Sequence, residues 1–296
     1  MTVTADSLHV DFDSGLDSAW PKARALYDAW GCFVADRLLV DELEPIRRDT
    51  GRLIDLAMKQ AGCTSRRDPP PRFDDGFAAL DEASPAAAAA VFAACRRLTS
   101  VHRLSVNAKL VELSQRLMGT DMVISSPYKP VRVDYDRREG FLLPWHQDYP
   151  YAQDSLDALV YWIPLQAVDD RNGCVMIAPG SHRSGVFPVD VEEPSPQGNG
   201  IKGLRLADPQ VFTSFPTVSV PMNAGDVLVF SSLLLHRSQP NDTDAARWTL
   251  QIRHGNFEHP VAIEKLWPRG HFERHWFDET HPEHVSRVIP PPESEE

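Results

Sequence analysis

The sequence contains no apolar run of 18 residues, so no membrane-spanning helix is expected. Its first fifteen residues, MTVTADSLHVDFDSG, are acidic and carry no apolar stretch of the kind a secretory signal needs. A cytoplasmic protein is the expectation. Cysteine is sparse: Cys32, Cys63, Cys95 and Cys174 stand far apart. Without paired spacing they make no zinc or iron–sulfur motif, and a disulfide framework is not expected at this size. Positive charge is in deficit, with 30 Lys and Arg against 42 Asp and Glu, a net charge of -12 and a pI near 5.4. Such a surface repels phosphate backbones and argues against a nucleic-acid partner. Coiled-coil heptads are also missing, which leaves a monomer or weak homo-oligomer as the expected state.

Proline, by contrast, is abundant. Twenty-five prolines argue against a mostly helical protein, because each interrupts a helix interior. The helical signal is concentrated in residues 1–120. Trp20, Leu26 and Trp30 recur at helical spacing ahead of Gly31, and residues 41–60, 86–98 and 104–118 read as further helices, the last closed by Gly119. Residues 32–35 read as a strand, and the proline-rich stretch 65–75 as a loop. From 121 the character changes. Residues 122–135, 158–168, 174–178, 211–220, 226–236 and 247–254 are short runs rich in β-branched and aromatic residues. Turn chemistry separates them, as at Asn172-Gly173 and Pro179-Gly180. Several short strands with such turns indicate a sandwich or barrel. Residues 192–203 form a polar insertion between strands, suited to a lid or a flexible loop, and the tail from Pro290 reads as disordered. The expected organisation is one domain over 1–296. A helical part spans 1–120, a β core 121–256 and a C-terminal extension 257–296.

The chemical signal centres on Trp145-His146-Gln147-Asp148. On a strand, residues two apart share a face, so His146 and Asp148 can reach one ion while Gln147 turns away. Ninety residues on, the run 226–236 alternates and ends at His236. Two histidines and one carboxylate with open positions is the ligand set of non-haem Fe(II) oxygenases. His-X-Asp alone is a weak pattern, but residues further along the chain strengthen it. Arg247 opens the next alternating run eleven residues after His236, and an antiparallel return brings it beside the metal. An arginine there can take a carboxylate bidentately, as a diacid co-substrate requires. Ser238 can add a hydrogen bond to the same carboxylate. Arg247, Thr249, Gln251 and Arg253 then share one strand face and Trp248, Leu250 and Ile252 the other, a pattern that fits a polar cavity wall.

His146-X-Asp148, then Asn172-Gly173-Cys174 through Pro179-Gly180-Ser181-His182, then Gly225-Asp226 leading to His236 and Arg247, resembles the phytanoyl-CoA dioxygenase family in order and spacing. The resemblance covers about residues 120–255. It implies a mainly β chain with flanking helices (α+β), built on a double-stranded β-helix, or jelly-roll, core. It implies Fe(II) on His146, Asp148 and His236, with 2-oxoglutarate and O2 as co-substrates. It places 2-oxoglutarate against Arg247, with Ser238 and Trp162 as further contacts and Arg132, on the strand with Val131, as a candidate. The reaction implied is hydroxylation of a small-molecule metabolite, with release of succinate and CO2. Halogenases of this kind carry a small residue in place of the carboxylate, so Asp148 favours hydroxylation, or another two-electron oxidation such as desaturation or ring closure, over halogenation.

Two alternatives stay open on sequence alone: a cupin-like dioxygenase that needs no oxo acid, and a non-catalytic jelly-roll binding module. Tyr149, Tyr151, Gln251 and Arg253 are the candidate substrate contacts, and they suggest a small polar or anionic substrate. Trp145, Tyr149, Tyr151 and Trp162 are equally at home as core or rim aromatics. His182 reads as part of a structural turn, and His271, His275, His281 and His284 as members of a solvated C-terminal segment. Asp134 and Asp136 read as surface or turn residues, and Arg96-Arg97 as an exposed helix face.

Overall fold

The computed structural model describes residues 3–63, 76–134, 142–194, 202–270 and 275–291. Helices dominate the first third: α1 (Leu16–Trp30), α2 (Glu44–Gln60), α3 (Phe77–Ala83), α4 (Pro85–Cys95), α5 (Thr99–Ser105) and α6 (Ala108–Met118). Gly31 ends α1 in the left-handed conformation, at φ 74°. A Cβ there would also strike the His182 ring, so the glycine admits that ring against the helix end. The expected helix over 104–118 is two helices. Asn107 breaks it by capping α6, its side chain accepting from the Lys109 amide.

Strands β1 (His9–Asp11) and β2 (Cys32–Asp36) lie in this same region yet belong to the main sheet. That sheet runs β1-β2-β10-β5-β12-β3, with β4 also pairing β12. Here β3 is Val123–Ser125, β4 Val131–Asp134, β5 Leu159–Pro164, β10 Val227–Ser231 and β12 Arg247–Asn256. A smaller sheet orders β11 (His236–Arg237), β6 (Met176–Ile177) and β9 (Val218–Ser219). The third joins β13 (Val285–Ile289), β7 (Val189–Glu192) and β8 (Gly203–Leu206). Short helices α7 (Tyr149–Ala152), α8 (Pro260–Glu264) and α9 (Phe277–Thr280) complete the set.

The two-residue alternation of the central strands decides the layering. Leu159, Tyr161 and Ile163 of β5 and Trp248, Leu250 and Ile252 of β12 face the helices, where Ile46, Leu80 and Leu113 close the largest core. Val160 and Trp162, with Leu228 and Phe230, face the other way and meet Val175, Ile177 and Val220 around the small sheet. Both faces of β5 and β10 are therefore buried, which is why these strands read as continuous apolar runs.

Several expectations need correction. The run 226–236 is two strands in two sheets, β10 and β11, separated by a turn at 232–234. Within 211–220, Val211–Ser214 forms a 3-10 turn and only Val218–Ser219 pairs. As expected, the polar insertion lies between two strands, β7 and β8; its residues 195–201 lie outside the described residues, as do the proline-rich stretch 65–75, His271, Asp136 and the last five residues. The C-terminal segment is not a solvated appendage. β13 runs parallel to β7, and His281 is buried with its ring stacked on Phe277. Among the described residues no helix is long and apolar enough to cross a membrane.

Candidate metal centre

His146 and His236 face each other across an isolated antiparallel bridge, each amide donating to the other's carbonyl at 3.0 Å. Asp148 departs from the strand expected for it. Its backbone is helical, it precedes the first residue of α7, and its amide donates to the Ser232 carbonyl at 2.9 Å. The three side chains still converge. Asp148 Oδ1 lies 3.6 Å from His146 Nε2 and 3.7 Å from His236 Nε2, and all three residues are buried.

The bonds behind these groups aim them. His146 Nδ1 donates to the Pro144 carbonyl at 2.8 Å and His236 Nδ1 to the Leu234 carbonyl at 3.0 Å. Both Nε2 lone pairs are thereby left free, the tautomer a metal requires. Burial, with His146 alongside, pushes His236 down to about 3, so its ring is neutral at pH 7. Burial opposes the charge on Asp148, but the Arg253 guanidinium and the two histidines hold its carboxyl well below the usual carboxylate range. Arg253 Nε donates to Asp148 Oδ2 at 2.8 Å, which leaves Oδ1 to the histidines. Gln147 does turn away: its amide donates to the Gly185 and Leu233 carbonyls and accepts from the Phe187 amide, pinning the ligand segment. Ser181 of the Pro-Gly-Ser-His turn accepts from the Leu235 amide, and His182 stands apart against α1. That turn is structural. Two imidazole Nε2 atoms and one ionised carboxylate on one side of a point suit a divalent iron with open positions.

Beside this cluster lies a small recess lined by Trp162, His236, Ser238, Arg247 and Thr249. The register of β12 against β4 sets Arg247 opposite Asp134 and Thr249 opposite Arg132. Asp134, read from sequence as a surface residue, is buried and accepts from Arg247 at 2.5 Å, with Arg132 at 3.4 Å. The wrong reading came from treating Asp134 apart from its strand partner. Arg247 is 3% exposed, and its Nε has no hydrogen-bond partner among the described residues. A buried donor left unpaired is costly unless a ligand takes it. A carboxylate entering the recess would.

Gly173 of the Asn-Gly-Cys motif guards this arginine. Its φ is +81°, and a Cβ would come within 2.5 Å of the Gln239 carbonyl and 2.8 Å of the Arg247 guanidinium. Gly173→Ala is expected to cost at least ~1–2 kcal/mol, the penalty of a left-handed non-glycine residue, and to weaken anion binding at Arg247. Denaturant unfolding and 2-oxoglutarate titration check this together; a variant unchanged in both would remove the glycine's role.

A larger cavity of about 630 Å³ opens over His146 and Asp148. Gln251, Arg253 and Tyr151 line it, and the Tyr151 hydroxyl is already spent on the Leu204 carbonyl at 2.8 Å. Tyr149 is a correction: it is buried beneath the C-terminal segment, with its hydroxyl 2.8 Å from His281 Nε2, and it does not line the cavity. Arg132 borders both spaces. Sequence reading missed the opposite wall, from α3 and α4, because an alanine-rich helix carries no chemical signal.

A model of the phytanoyl-CoA dioxygenase (PhyH) family matches residues 29–249. Methylphosphonate hydroxylase of Gimesia maris is 28% identical over 152 residues, 51% of this chain and 52% of that protein. The 1-deoxypentalenic acid 11-beta-hydroxylase of Streptomyces exfoliatus is 35% identical over 103 residues, 34% of this chain and 36% of that protein. The matched segments thus span about half the length of these curated relatives, or less. Among solved structures, the epimerase SnoN in complex with Fe3+, alpha ketoglutarate and nogalamycin RO aligns with a TM-score of 0.54 at 19% identity, over 81% of this chain and 84% of that one. That likeness establishes the jelly-roll core with its flanking helices.

Proposed function

The chain belongs to the phytanoyl-CoA dioxygenase family, and from that premise we propose that it is an Fe(II)- and 2-oxoglutarate-dependent dioxygenase that hydroxylates a small molecule. The observation that carries the reading is the pairing of a convergent His146–Asp148–His236 set with a buried, under-satisfied arginine in the adjoining recess. His146, Asp148 and His236 would hold the iron. Bound there with 2-oxoglutarate and O2, it supplies the oxidant for converting a C–H bond to C–OH, with release of succinate and CO2.

The chain's own work is positioning and the exclusion of water. Arg247 takes the distal carboxylate of 2-oxoglutarate, and Ser238 adds a hydroxyl donor on the same wall. Trp162 closes the side of the recess, and Arg132 stands at its junction with the large cavity. Arg253 occupies Asp148 Oδ2, so Oδ1 is the oxygen that would be left to hold the iron. We read the whole chain as one oxygenase domain, since the largest core joins helical residues such as Ile46 to strand residues such as Trp248. The reading also takes the protein as cytoplasmic, monomeric or weakly self-associating, and without nucleic-acid partners, on its charge and composition.

Anaerobic titration of the metal-free protein with Fe(II) and then 2-oxoglutarate tests the proposal. A weak visible charge-transfer band that appears only with both is the expected result. Iron binding without the band would favour a metal-dependent dioxygenase that uses no oxo acid. No iron binding would leave a non-catalytic module.

A further inference from the structure

Apart from Asp81 of α3, the wall that α3 and α4 give the large cavity is carbon. Pro85, Ala88, Ala89 and Phe92 recur along one face of α4 at helical spacing, with Phe77 of α3 and Leu143 across from them. Phe92 and Leu143 remain 40% and 37% exposed, an apolar pair left in contact with water beside the cavity. A volume of about 630 Å³ falls among sites that enclose a drug-sized molecule. A very small anion would leave most of it unfilled.

Polar groups gather at the metal end, and most of them are held in ion pairs. Arg253 serves Asp148, and Asp134 is shared by Arg132 and Arg247. Among the described residues these groups are held by one another before a ligand enters. What is offered is an amide. Arg253 Nη2 donates to Gln251 Oε1 at 3.0 Å, and a guanidinium can only donate, so the amide orientation is fixed. Gln251 is 7% exposed, and its Nε2 has no hydrogen-bond partner among the described residues. Because Gln251 lines the cavity, that NH2 is placed to meet a ligand there.

We infer that the substrate is an oxygenated hydrocarbon, with an alkyl or alicyclic body against α3 and α4 and a carbonyl or hydroxyl oxygen that accepts from the Gln251 amide beside the iron. This departs from the small polar or anionic substrate suggested by residue types alone. The inference rests on the oxygenase reading for its chemistry, whereas its test reads the cavity without iron.

Equilibrium dialysis of the metal-free protein against cyclododecanone, farnesol and dodecan-2-one, with methylphosphonate and glycine as polar contrasts, provides that test. At least one oxygenated hydrocarbon is expected to bind tenfold or more tightly than either contrast. Ala89→Phe, at an exposed wall position, should lower that affinity at least tenfold while leaving the Fe(II)–2-oxoglutarate band intact. Gln251→Leu should erase the preference for cyclododecanone over cyclododecane, a change of about threefold to tenfold for one hydrogen bond. Polar contrasts that outrank all three compounds, failure of all three to bind, or an unaltered ketone preference in Gln251→Leu would each overturn the inference. Ketone binding in a protein that gives no band with iron and 2-oxoglutarate would sink the oxygenase reading and spare this one.

Discussion

Asp148→Ala is expected to abolish succinate release and to weaken Fe(II) binding beyond the ~10–100-fold typical of losing an outer-shell partner. Asp148 contributes the carboxylate of the cluster, and its Oδ1 sits about equally far from both imidazoles. Its removal has a second effect. Arg253 is buried and takes Asp148 Oδ2, so the variant strands an unpaired guanidinium at a cost of about 3–5 kcal/mol. Lower stability and lost chemistry therefore arrive together and must be separated. The double variant Asp148→Ala/Arg253→Leu should regain much of the thermal stability and none of the iron affinity. Anaerobic dialysis with iron analysis, alongside thermal unfolding, reads both. Wild-type turnover in Asp148→Ala would remove it from the ligand set.

The second large effect concerns Arg247→Ala, which should raise the apparent KM for 2-oxoglutarate by roughly 30-fold or more while Fe(II) still binds. Truncating one member of a buried, hydrogen-bonded charge pair costs about 2–5 kcal/mol, and each 1.4 kcal/mol is tenfold in affinity. Arg247→Lys should recover only part of the loss, because an ammonium keeps the charge but not the fork that grips a carboxylate. Asp134 shapes the outcome, since it holds the guanidinium before any co-substrate arrives and must share it afterwards. An unchanged KM in Arg247→Ala would end its assignment as the carboxylate anchor.

The parts of this site that could be read from sequence are those set by short-range periodicity. Gln147 pointing away from its neighbours, the two faces of β12 and the turn before Arg247 all follow from alternation within a strand or a local turn. His146 and Asp148 converge as expected, but by a different route: Asp148 turns into α7, and a bridge to His236 does the aligning. What sequence did not reveal depends on which strand lies beside which. Asp134 gains its meaning only opposite Arg247, Arg253 only beneath Asp148, and Tyr149 only under a C-terminal segment that returns 132 positions later. The α4 wall escaped notice for another reason: alanines that make room leave no polar mark.

The placement of β2 has a consequence for how the chain is made. Cys32–Asp36 is almost wholly buried, and its antiparallel partner is β10, Val227–Ser231. At roughly 5–20 residues per second, synthesis of the ~190 residues between them takes on the order of 10–40 s. Throughout that interval the nascent β2 carries an unpaired, apolar edge, the kind that recruits other strands. Closing the sheet with so distant a partner also makes the topology slow to fold. The same delay governs the metal centre, whose last ligand, His236, leaves the ribosome just after β10.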